Sequence, residues 1–72
     1  MSGLADTIEA TLVREPLQFA ELVDRHRAVA WRDFLHAWGE VREKDILKRD
    51  DIGRYYIPGG EAEAVAAETR AT

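Results

Sequence analysis

RDDIGRYYIP, residues 49–58, decides how the rest of the chain is read. Arg54-Tyr55-Tyr56-Ile57 is rich in aromatic and branched side chains, and so is Ile46-Leu47-Lys48-Arg49 just upstream. Such runs suit a pleated, half-buried strand. Asp50-Asp51-Ile52-Gly53 links them, with a glycine near its end where a hairpin turn needs φ > 0. The pattern predicts a β-hairpin, with Pro58-Gly59-Gly60 ending its second strand and Leu47, Tyr55 and Ile57 turned towards a core. A lone two-stranded hairpin is marginal in water, so the preceding residues must supply a surface for it.

They supply helices. Trp31, Phe34, Leu35, Trp38 and Val41 recur at helical spacing and share one wide arc, with Ala30 and Ala37 at its edge. Lys44-Asp45 ends this helix. Gly39 lies inside it at a cost of about 1 kcal/mol relative to alanine, and close packing against a neighbour is the expected compensation. RHRAVA, residues 25–30, reads as a solvated turn. Before it, Phe19, Leu22 and Val23 form a shorter stripe with Ala20. Proline is welcome at a first helical position, so this helix is expected from near Pro16 to Arg25. Leu4, Ile8 and Leu12, with Ala5 and Val13, mark a first helix over residues 3–14, with Ser2 as its N-cap. It stops ahead of Pro16, which disfavours the α region in the residue before it. The tail, EAEAVAAETRAT, has helix-forming composition but only Val65 as a sizeable apolar residue. The expected organisation is one domain over residues 1–58 and a flexible acidic, Ala-rich tail over 59–72.

Composition narrows the function classes. The 72 residues allow one small domain, and 46% hydrophobic content marks a folded chain. With no cysteine there is neither disulfide nor thiolate metal site. His26 and His36 have no dense carboxylate cluster between them, so no metal and no cofactor is expected. Apolar runs fall well short of the ~20 residues that span a bilayer, and MSGLADTIEA lacks the basic and apolar regions of a signal peptide. A cytoplasmic protein without membrane contact is expected. The only serine is Ser2 and no Gly-rich phosphate loop occurs. So short a chain also struggles to enclose a water-free pocket. No catalytic residue, no small-molecule substrate and no enzymatic activity are expected.

The net charge of −4 is unevenly spread. Residues 1–24 carry one arginine against five acids, residues 25–54 eight basic residues against six acids, and residues 55–72 one arginine against three glutamates. The middle is mildly basic, whereas a dedicated nucleic-acid binder is usually far more so.

The stretch from Pro16 to Pro58 resembles a winged helix-turn-helix domain. Glu21-Leu22 looks like the "EL" element of its second helix and Val29 like the apolar turn residue. Phe34, Ala37, Trp38 and Val41 look like the buried positions of its recognition helix. Ile46-Leu47-Lys48-Arg49 resembles the strand entering the wing, and Gly53-Arg54-Tyr55 the return. The resemblance covers residues 3–58 and implies a mostly α (α+β) fold of three helices with a two-stranded β-hairpin wing. It also implies double-stranded DNA as a partner, with the recognition helix in a groove and the wing on the backbone. Many domains of this fold bind proteins or RNA instead.

Two site readings follow. In the first, Arg25, Arg27, Arg32, His36, Lys48, Arg49 and Arg54 contact nucleic acid, mainly at phosphates. Against it, the polar face of the third helix holds Asp33, Glu40 and Glu43 beside Arg32 and His36, which also suits a plain solvated face with i, i+4 pairs. In the second, Trp31, Leu35, Ile52 and Tyr56 form a surface for a protein partner or a homodimer. Trp31 and Leu35 would equally serve as core under the first helix or the tail. Tyr55 and Tyr56 alternate faces, so one is expected buried and the other exposed.

Overall fold

The structure, a computed structural model, describes residues 3–70. Ser2 lies outside the described residues. The element order is α1 (Gly3–Arg14), α2 (Phe19–Arg25), α3 (Trp31–Glu43), β1 (Lys48–Arg49), β2 (Tyr55–Tyr56) and α4 (Glu61–Arg70). The chain is thus mostly helical with one antiparallel hairpin. Among the described residues no helix is long and apolar enough to cross a membrane.

The core is the meeting of the apolar stripes. Ala5, Ile8 and Leu12 of α1 pack with Leu22 of α2 and with Phe34, Ala37, Trp38 and Val41 of α3. Phe19 fills the angle between α2 and α3, its ring centroid 6.0 Å from Phe34 and 5.3 Å from Trp38. Trp38 meets the edge of Tyr55 at 5.2 Å, which seats the hairpin on α3. Leu47 and Tyr55 pack against this core and Ile57 is buried in it, as the strand pattern requires. Backbone polar groups inside a fold need partners, and Ile57 N–H finds one by donating to Leu12 O at 3.0 Å.

α2 starts later than proline chemistry suggests. Leu17 is extended and exchanges two backbone hydrogen bonds with Tyr55, at 3.0 and 2.7 Å. That bridge holds Pro16 and Leu17 out of the helix. Gln18 becomes the N-cap, its N–H donating to the Glu21 carboxylate at 2.9 Å. β2 therefore has a neighbour on each side, with β1 paired Lys48 to Tyr56 and Arg49 to Tyr55. α3 is capped by Lys44, after which Asp45 takes a left-handed φ of 56°. Aspartate tolerates that region better than most side chains. The Lys44 ammonium donates to Glu9 and ties the end of α3 to α1. That hydrogen bond holds the amine above its ordinary pKa.

Two expectations give way here. Residues 61–70, read as flexible tail, form α4. Its face of Ala62 and Ala66 needs no large side chain, because small residues let the helix lie close on Tyr56 and α1. Tyr56, read as an exposed hairpin residue, is for the same reason only 5% exposed. The approach is tightest at Gly60, where a Cβ would stand 2.6 Å from the Val13 carbonyl oxygen. Gly60→Ala should therefore lift the start of α4, cost about 1–3 kcal/mol and speed amide exchange in residues 61–66. Unchanged exchange there would refute the close contact.

Candidate functional site

The hairpin turn is built around Asp50. Its carboxylate accepts from the backbone N–H of Ile52 at 3.1 Å and of Arg54 at 2.8 Å, and from Arg54 Nε at 2.6 Å. Burial pushes its pKa up, but the Arg54 hydrogen bonds and charge outweigh this and hold it below the ordinary carboxylate value. Gly53, at φ 86°, completes the turn. Of the two turn aspartates, only Asp51 offers its charge to solvent; Asp50 is covered.

The arginines expected at phosphates divide into two groups. Arg25 pairs with Glu15 at 2.6 Å, Arg27 with Asp24 at 3.6 Å, and Arg54 with Asp50 at 2.6 Å. Arg32, Lys48 and Arg49 form no ion pair within the described residues. Lys48 and Arg49 share an open hollow of about 320 Å³ with Arg42, Asp45, Leu47 and Tyr55. Arg49 lies over the Tyr55 ring at 5.3 Å, a cation–π contact. Arg42, absent from the expected set, is the third cation there. Its place on the helical wheel, between Trp31 and Leu35, is the signal that would have found it.

His36 lies elsewhere. It faces the start of α1 in a cleft with Asp33, Glu40, Gly3 and Leu4, so two carboxylates share its surroundings. His26 is tied to Leu22 O at 2.9 Å and packs on Phe34 at 5.7 Å. The two histidines thus have different surroundings, and no group of three His, Cys, Asp or Glu side chains among the described residues is placed to hold a metal.

The apolar candidates hold their position except for Tyr56. Trp31 is 55% exposed, Leu35 41% and Ile52 54%. Trp31 is stacked on Phe34, with centroids 5.8 Å apart and 16° between planes, so the core holds its ring in place while one face meets solvent. Trp31 and Leu35 are therefore not buried as core under α1 or α4. Gly39 also departs from expectation: a Cβ built there meets nothing within 4 Å. No neighbour in this chain requires the glycine, and it leaves a notch in α3 beside Arg42 and Glu43. No protein-family model, curated protein or solved structure matches the chain.

Proposed function

We propose that the chain is a winged-helix module that docks a protein partner on the outer face of α3 and performs no chemistry on it. Three helices followed by an antiparallel hairpin, in the order the resemblance asks for, support the fold reading. The observation that carries the docking reading is the exposed pair Trp31 and Leu35, one turn apart on α3. Exposed aromatics fixed by their own core are the side chains on which interface energy concentrates. On the same helix Asp33, Glu40 and Glu43 repel phosphates, and Arg25, Arg27 and Arg54 already face carboxylates.

A nucleic-acid reading keeps one specific support, the convergence of Arg42, Lys48 and Arg49 in one hollow. The two are separated by paired measurements. Selection of a random peptide library against the folded chain should recover binders, and Trp31→Ala should weaken them at least tenfold while the fold persists. A labelled random-sequence duplex at low salt should not bind. Duplex binding that falls linearly with salt on logarithmic axes, together with peptide binding indifferent to Trp31, would reverse the order of the two readings.

A further inference from the structure

We infer that the partner segment is acidic and amphipathic, that it lies along α3 from Trp31 to the hairpin base, and that Gly39 is where its backbone crosses. The inference rests on the docking reading and names the occupant of that same face.

Three observations converge. Trp31, Leu35 and Arg42 fall within about 40° of one another on the helical wheel and span about 16 Å of α3. The stripe is therefore apolar at its start and cationic at its end. At that end Arg42 meets Lys48 and Arg49 from the hairpin, and none of the three is neutralised by an ion pair among the described residues. Asp45 lines the same hollow and offsets one of these charges. The local balance remains positive in a chain of net charge −4, which selects carboxylates as the complementary groups.

Gly39 supplies the third observation. Glycine inside a helix is unfavourable, and nothing in this chain fills the space a Cβ would take. Absent a side chain, a second backbone can approach α3 closely at this point. An aliphatic or aromatic anchor would then cover Trp31 and Leu35 while carboxylates further along reach Arg42, Lys48 and Arg49. Nucleic acid fits less well, since the stripe begins with two exposed apolar side chains, which a phosphate backbone leaves uncovered.

The test uses the random peptide library and the full chain. Recovered binders should be rich in Asp and Glu with one or two large apolar residues. Lys48→Glu, whose side chain is exposed, and Arg42→Glu should each reduce their affinity about tenfold, with the loss shrinking in high salt. Gly39→Ala should raise the thermal midpoint by a few degrees yet weaken the same peptides. That opposition distinguishes a docking notch from a defect in the helix. Binders that need Trp31 but are neutral or basic, or that tolerate both charge reversals and Gly39→Ala, would overturn the inference and leave the docking reading standing. Binders that ignore Trp31 would overturn the docking reading itself. Duplex binding abolished by Lys48→Glu would assign the hollow to phosphate and overturn both.

Discussion

Phe34→Ala is expected to remove a large share of the chain's stability, the largest loss of any single substitution considered. Phe34 is 1% exposed and sits where α2 and α3 meet, against Phe19, His26 and Trp31. Truncating a buried phenylalanine costs about 3–5 kcal/mol, the transfer term plus a cavity. A domain of this length is stable by only about 4–10 kcal/mol in all. The loss extends beyond one side chain, because Phe34 is also the platform for Trp31. Urea unfolding followed by tryptophan fluorescence measures it. A midpoint close to that of the parent chain would mean that the core can collapse around the gap.

Asp50→Ala ranks next, at about 3 kcal/mol. The carboxylate is the common acceptor for two backbone N–H groups and the Arg54 guanidinium. Removing the carboxylate takes the acceptor from all three donors at once, and a part-buried hydrogen-bonding group that loses its acceptor costs more than the bond contributed. Its pH dependence is distinctive. The folded-state pKa of Asp50 lies below the ordinary value of 3.8. Its contribution is therefore complete above that value and is lost as pH falls through the folded-state pKa. The stability gap between the parent chain and Asp50→Ala should be widest near neutrality and shrink as the solution is acidified below pH 3.8. A gap that stays constant under acidification would show that the carboxylate charge is not what organises the turn.

How far the sequence discloses this molecule depends on whether a residue's role is local. α1 and α3 are legible because each carries a long apolar stripe of its own. Gly53 and the hairpin are legible because a turn is a local affair of backbone angles. The start of α2 is not, because Leu17 is extended only by virtue of Tyr55, far along the chain. α4 escaped for a related reason: two alanines make no conspicuous stripe, and their burial depends on Tyr56 beneath them. Among the site candidates, Trp31 and Leu35 share the apolar arc of the third helix, so spacing leaves them between core and surface and only the packed fold shows them exposed. The pairing of Arg25 with Glu15, the covering of Asp50 and the company that Arg42 keeps with Lys48 and Arg49 all require the chain to have folded first. Gly39 is the converse case, a position where local reasoning expects a neighbour and the fold supplies none.

The bridge between Leu17 and Tyr55, with the Ile57 to Leu12 hydrogen bond beside it, also bears on how the chain is made. Each joins segments roughly forty residues apart, and closing so long a loop carries an entropic cost that helix formation does not. α1, α2 and α3 precede the hairpin in synthesis, but their shared core has no lid until β2 returns to α1. During translation the stripe of Phe34, Trp38 and Val41 therefore waits, partly uncovered, for Tyr55 and Ile57 to emerge. The domain closes late, only once β2 is available to return to α1, and its window of vulnerability to aggregation lies in the interval just before.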